Sequence, residues 1–228
     1  MAVSKITWNE SGSRYFETGI ERGVLFVDDN PGVAWNGLIS ITGSSEGADN
    51  QSLYYDGVRY INLAHPSEFS GSIEAYSRPP EFDLCEGIKE LRNGFFTDSQ
   101  PLSPFGLSYR TLIGNDEQNE NLGYKLHLVY NMMVEPSSIT HETMTEQGNP
   151  IQKSWAFTTS PIAIPGRRPS SHITISSLRN LSLANEVSNI LYGSDTDPPR
   201  LPLPTEIVGI TMAIYDQSFY DAANSVFG

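Results

Sequence analysis

At 228 residues and a formal charge of −13, from 27 acidic against 14 basic side chains, the chain can bury a real core but cannot track phosphates with a basic stripe. Its 11 Tyr, 10 Phe and 3 Trp beside 19 Gly and 15 Pro favour strands and turns over long helices. A single cysteine, Cys85, excludes an intrachain disulfide framework and any multi-cysteine metal site, and no apolar run approaches the roughly 20 residues of a membrane helix.

The N-terminal "MAVSKITWNESGSRYF" lacks the apolar centre of a secretory signal, so neither a cleaved leader nor membrane insertion is expected. Asp28-Asp29-Asn30-Pro31-Gly32 offers oxygen ligands but not the bidentate glutamate of a calcium loop, and its Asn-Pro-Gly reads as a turn. In "AWNGLISIT", Trp35, Gly37, Ile39 and Ile41 alternate with Asn36, Leu38, Ser40 and Thr42, which predicts a strand with the first set on its apolar face. Gly43-Ser44-Ser45-Glu46-Gly47 has the letters of a hydrolase nucleophile elbow, but acidic "EGADNQ" follows where a helix is needed, and the segment reads as a loop.

"SLYYDGVRYINL" carries the strongest local signal: Asp56-Gly57 suits a two-residue primed turn between two aromatic and β-branched arms. "SGSIEAYS" predicts a strand stopped by Pro79-Pro80, and the segment holding Cys85 and "GIKELRNG" reads as loop with a turn or two of helix. Next comes a long hairpin, "FGLSYRTLIGNDEQNENLGYKLHLVYN", whose arms stop pairing near Gly114 and Gly123. Its second arm alternates Leu126, Leu128, Tyr130 and Met132 with Lys125, His127, Val129 and Asn131, the pattern of a sheet with one buried face. "KSWAFTTSPI" and "SHITISSL" supply two more strands around the turn-forming "PGRRPSS".

One amphipathic helix is predicted near 183–192, where Leu183, Val187, Ile190 and Leu191 recur at helical spacing, Ser182 caps the start and Gly193 the end. "SDTDPPRLPLPTE" reads as a proline-rich spacer to an apolar tail, "IVGITMAIYDQSFYDAANSVFG". His65, His127, His141 and His172 have no metal-ligand spacing, "HETMTEQ" lacks a second histidine, and neither a phosphate loop nor a dinucleotide fingerprint occurs. Carboxylates abound, but no pair stands out for acid–base work, so the chain reads as non-enzymatic, with no cofactor and no metal.

Several segments in order, "SRYFETGIERGVLF", "GVAWNGLISI", "YYDGVRYIN", "GSIEAYSRPPEF", "FGLSYRTLIGND", "GYKLHLVYN" and "LYGSD" followed by "LPLPTE", resemble the major tail protein family of long-tailed actinobacteriophages. They span most of the chain from Ser13 to about Glu206. The resemblance implies a mainly β, sandwich- or barrel-like tail-tube domain over 33–193 with one flanking helix, an N-terminal arm or edge segment over 1–32, and a spacer with a C-terminal arm over 194–228. It also implies a structural virion protein of the tail, assembled in the host cytoplasm as six-membered rings stacked into a tube, with tape measure, distal tail and tail terminator proteins as further partners. Genomic DNA would pass through an acidic or neutral lumen without specific binding, for which an acidic chain is suited; the same charge also serves simple solubility. In this frame the polar hairpin tip, Asn115, Asp116, Glu117, Glu120 and Asn121, has no apolar anchor in its own subunit and is expected to be mobile until it contacts the next ring. Two alternatives are a distal or minor tail subunit that forms a single ring, and a carbohydrate-binding or carbohydrate-hydrolysing β-sandwich.

Overall fold

The structure, a computed structural model, describes residues 6–8, 10–46, 51–63, 68–135 and 151–227. Within them the chain forms strands β1 (Tyr15–Val27), β2 (Val33–Ala34), β3 (Leu38–Glu46), β4 (Gln51–Tyr55), β5 (Val58–Leu63) and β6 (Glu68–Ala75), then a 3₁₀ turn (Pro80–Leu84). β7 (Lys89–Arg92), β8 (Phe95–Thr97), β9 (Phe105–Asn115), β10 (Asn119–Val134), β11 (Lys153–Thr159) and β12 (His172–Ser176) follow, and helices α1 (Leu181–Tyr192) and α2 (Pro204–Phe227) close the chain. The fold is mainly β with flanking helices, as expected, except that a second helix stands where an apolar arm was read.

Eight strands form one antiparallel sheet in the order β2-β1-β9-β10-β11-β6-β3, with β12 beside the first half of β10. The two ends of this path are joined in sequence: β2 ends at Ala34 and β3 begins at Leu38. Four residues reach at most about 14 Å, whereas seven strands laid flat span about 29 Å, so the sheet must roll toward closure. The Trp35 amide donates to Gly23 O of β1 at 2.8 Å, which continues the β1–β2 pairing up to the link into β3.

The roll encloses one core. Leu25 and Val27 of β1, Phe105, Leu107 and Tyr109 of β9, and Val129 and Met132 of β10 meet Ile73, Trp155, Phe157 and the plug of Trp35 and Phe82. Trp155 also donates through Nε1 to Glu86 Oε1 at 2.6 Å, so its one polar atom is satisfied. A second core lies outside the roll, where Val24, Phe26, Leu126, Leu128, Tyr130 and Ile175 are covered by Ala184, Val187 and Leu191 of α1 and Ile207 of α2.

β10 is therefore buried on both faces, not one, and its alternation breaks at Asn131. That residue adopts φ 49° in a bulge between Val129 and Met132, so Tyr130 faces the helices while Met132 turns into the roll. A similar irregularity between Leu38 and Ser40 puts Leu38 and Ile41, not Ile39, against the inner core. The Gly43-Ser44-Ser45-Glu46 segment is part of β3, paired to β6, and not a loop; Gly47 lies outside the described residues.

"GIKELRNG" is not helical. It opens the β7–β8 ribbon, with Arg92 opposite Phe95 across Asn93-Gly94 and Gly94 at φ 79°. The Asp56-Gly57 turn is as expected, with φ 49° and 75° and Tyr55 opposite Val58. α1 begins one residue before the expected cap: Asn180, not Ser182, accepts from Leu183 N at 2.9 Å, and Gly193 ends the helix at φ 74°.

The proline-rich segment is no free spacer. Pro199 O accepts from Gly32 N, Arg200 N donates to Ile190 O, and Pro202 O accepts from Tyr130 Oη at 2.8 Å. A Cβ at Gly106 would stand 2.5 Å from Leu201 Cδ2, so the glycine gives this segment room to lie on the sheet.

Candidate functional site

The β9–β10 tip is built from polar side chains that fold back on its own backbone. Asn115 is 5 % exposed and its Oδ1 accepts from Glu117 N and Gln118 N, closing an Asx-type turn over residues 115–118. Asn119 at φ 50° starts the return strand, and Asn121 N donates to Gln118 O. Asp116, Glu117, Glu120 and Asn121 are exposed.

The tip has no apolar anchor, but polar bonds to the segment that leads into β1 hold it. Asp116 Oδ1 accepts from Gly12 N at 3.1 Å, Glu117 Oε1 from Ser11 Oγ at 2.7 Å, and Asn115 Nδ2 donates to Gly12 O at 3.2 Å. Gly12, at φ 82°, turns the chain beneath the tip. The tip is thus pre-shaped by residues 11–12, while Glu120 and Asn121 beside it remain outward.

Around the body, two ribbons pair only with themselves among the described residues. β4–β5 exposes Leu53, Tyr55, Val58 and Tyr60, and β7–β8 exposes Leu91, Phe95 and Phe96. Tyr60 is 78 % and Phe95 62 % exposed, whereas Trp35, Phe82, Trp155 and Phe157 are buried in the core. Strand edges are open as well. Over residues 15–22, β1 has β9 on one side and no described strand on the other, and β3 is paired only to β6.

A half-buried polar chain runs across the sheet from β1 through β9 and β10 to β12. Thr111 Oγ1 donates to Glu17 Oε1 at 2.6 Å, which leaves its oxygen to accept from His127 Nε2 at 3.0 Å. His127 Nδ1 is then bare and accepts from His172 Nε2 at 3.2 Å. Tyr109 stacks on His127 at 4.6 Å and Phe69 on His172 at 4.7 Å. Burial pushes His172 down to about 4, helped by the neighbouring His127, and burial likewise lowers His127 against the pull of Glu17.

Both imidazoles are therefore neutral at pH 7. The imidazole donates to the hydroxyl instead of accepting from it, the reverse of what a general base does to a nucleophile. Lys125 pairs with Glu17 on the outer side, and the hydrogen bonds of Lys125 and Thr111 outweigh burial to keep that carboxyl below its ordinary range. Sequence spacing did not bring these histidines together because 45 residues separate them; the β10–β12 register does.

Cys85 is fully buried, and burial first, then Asp28 and Glu86, pushes its thiol up to about 12, which makes it inert at neutral pH. The turn centres on Asp28-Asp29, with Asn30 N donating to Val27 O, and so precedes the expected Asn30-Pro31-Gly32. Among the described residues no group of three His, Cys, Asp or Glu side chains converges as metal ligands, and His65 and His141 fall outside them, as does "HETMTEQ". Two open grooves are lined, one by Arg22, Trp35, Asn36 and Tyr192 and the other by Asp28, Asp29, Asn131 and Arg200. No helix among the described residues is long and apolar enough to cross a membrane.

No family model matches this chain, and no curated protein matches it. Among solved structures it is similar to a chain of the anti-feeding prophage baseplate, seen by six-fold symmetrised cryo-electron microscopy. The identity is 10 %, the TM-score 0.32, and the match covers 77 % of this chain and 97 % of that one. A likeness so slight carries no argument about function.

Proposed function

We propose that this chain is a structural, non-catalytic virion protein of a phage tail, the tube subunit that stacks as six-membered rings around the path of the genome. The observation that carries the reading is surface made for contact. Two aromatic ribbons stand off a rolled sheet and two strand edges lie open, features that leave a monomer prone to association. Copies of the same chain are the natural cover, since an open β1 edge and an open β3 edge on each subunit complement one another around a ring.

The acidic balance of 27 against 14 supports a passage that repels the phosphate backbone and lets DNA slide. The segments that resemble actinobacteriophage major tail proteins coincide with β1, the β2–β3 link, both arms of the β9–β10 hairpin and the docked proline-rich segment. In this reading Asn115, Asp116, Glu117, Glu120 and Asn121 form an inter-ring contact, presented ready-shaped by the 11–12 bracket instead of ordering on contact. Tape measure, distal tail and terminator proteins are the heterologous partners at the tube's ends.

Sedimentation velocity of the purified chain over a hundredfold concentration range tests the proposal. The expected result is a continuous rise in mass beyond six copies. A stop at one ring favours the single-ring adaptor, and a persistent monomer that binds glycans favours the carbohydrate reading.

A further inference from the structure

The turn between β11 and β12 carries two adjacent arginines that are left without a counter-ion. Arg167 and Arg168 are exposed, and among the described residues neither meets a carboxylate, whereas Arg78, Arg110, Lys125 and Arg200 each do. The sequence keeps acid away from them: although acidic residues outnumber basic ones 27 to 14, residues 147–185 hold Lys153, Arg167, Arg168 and Arg179 and no Asp or Glu. The backbone that carries the pair is also braced. Ile162 and Ser170 exchange amide bonds at 3.2 and 3.1 Å, Arg167 N donates to Ile164 O, and Pro165 and Pro169 restrict the chain on either side. Ile162 packs against the outer core. This base is ordered before any contact, which lowers the cost of binding through it.

Two guanidinium groups side by side select carboxylates. Duplex DNA is a poor occupant, because the acidic remainder of the chain repels it. The chain itself supplies a better one. At the β9–β10 tip Asp116, Glu117 and Glu120 are exposed, and their described hydrogen bonds come from Gly12 N, Arg14 N and Ser11 Oγ, not from a cation. Asp28 and Asp29 line a groove with Asn131, near the root of the turn, but neither pairs with these arginines among the described residues. Within one copy the tip and the turn are out of reach. The turn leaves the sheet where Ser160 N donates to Asn131 O and Tyr130 N to Ser171 O, and β10 between Asn121 and Asn131 is about 33 Å of strand. From Ser171 the backbone to Arg167 extends about 14 Å at most. Acidic tip and arginine turn are therefore complementary only between copies, head to tail, and such a contact repeats without closing. We propose that the Arg167–Arg168 turn of one copy receives the β9–β10 tip of the next, with Glu117 and Glu120 facing the guanidinium groups. The inference rests on the tail reading and gives the inter-ring contact its second face. Exposed pairs of this kind add little affinity singly; together they set register and speed encounter.

The test is a charge exchange in the full chain, read by sedimentation velocity. Arg167→Glu with Arg168→Glu, and separately Glu117→Arg with Glu120→Arg, should each weaken self-association about tenfold while melting of the single chain stays within a few degrees, since all four side chains are exposed. Both exchanges in one chain should restore association. For the native chain, raising salt from about 0.1 M to about 1 M should weaken association, because the screening length falls from about 10 Å to about 3 Å. Native-like association of either single exchange, or no recovery in the combined one, overturns the proposal while the tail reading survives in the native chain's own assembly. A native chain that stays monomeric, or that uses the arginines to hold duplex DNA instead, overturns both.

Discussion

Acid should loosen the roll through one imidazole, and replacing His172 by glutamine should remove much of that sensitivity. The folded state holds His172 at about 4 against an ordinary value of 6.5, because burial and the adjacent His127 oppose a second charge. The unfolded chain therefore binds the extra proton first as pH falls. Stability contributed by the neutral imidazole is complete above about 6.5 and is lost progressively down to about 4, below which both states carry the proton. A shift of this size corresponds to about 3 kcal/mol, which the residual solvent access of the ring reduces to about 2 kcal/mol. For a chain of this length that is a fall in Tm of about 4–8 °C from this group alone. The side-chain amide introduced by His172→Gln can still donate to His127 Nδ1 but cannot titrate. Melting curves at half-unit steps from pH 7.5 to 4 should then show the native chain losing about 2 kcal/mol more than His172→Gln, with the difference growing below pH 6.5. Carboxylates shared by both chains cancel in that difference. Parallel curves would refute the inference that burial keeps the His127–His172 pair neutral.

Replacing residues 116–120 with a short Asn-Gly turn should lower Tm by only a few degrees. The bonds lost, to Ser11 and Gly12, are exposed and worth about 0.5–1 kcal/mol each, and the same variant should fail to polymerise when examined by light scattering. Ending the chain at Ser194 should unfold the body. Ile207 and Leu201 would leave the outer core and Tyr130 Oη would lose Pro202 O, a combined loss of about 4–6 kcal/mol, read as aggregation or as loss of a cooperative melt. Tyr55→Ser with Tyr60→Ser on the β4–β5 ribbon should leave Tm within about 2 °C and still reduce self-association, because both rings are exposed in the single chain. A gel shift with duplex DNA at physiological salt should show no submicromolar binding, since acidic residues outnumber basic ones 27 to 14.

Local signals that depend on a single backbone requirement were readable from the sequence. Asp56-Gly57 demanded positive φ and is the turn; Gly193 ended α1 for the same reason. Asn93-Gly94 carries a similar signal inside "GIKELRNG", masked by the charged, helix-favouring residues before it. Asn180 outcompeted Ser182 as cap because either side chain can bond an early amide, and tertiary packing of Ala184, Val187 and Leu191 decides the phase. The bulges at Asn131 and between Leu38 and Ser40 each inserted a residue that a strict period of two cannot express, so the inward sets changed part-way along the strand.

Helix α2 was hidden because its apolar residues fall on two sides, which blurs the one-sided pattern that reveals an amphipathic helix. The bracket under the tip and the imidazole chain had no sequence trace at all. Asn115 meets Gly12 across 103 residues and His127 meets His172 across 45, and only the pairing of β1 with β9 and of β10 with β12 makes them neighbours.

Electron microscopy of the purified chain, concentrated at neutral pH and stained, tests the central claim most directly. The account expects tubes built of stacked rings with an axial channel, formed by this chain alone. Fields of isolated monomers at every concentration would contradict it.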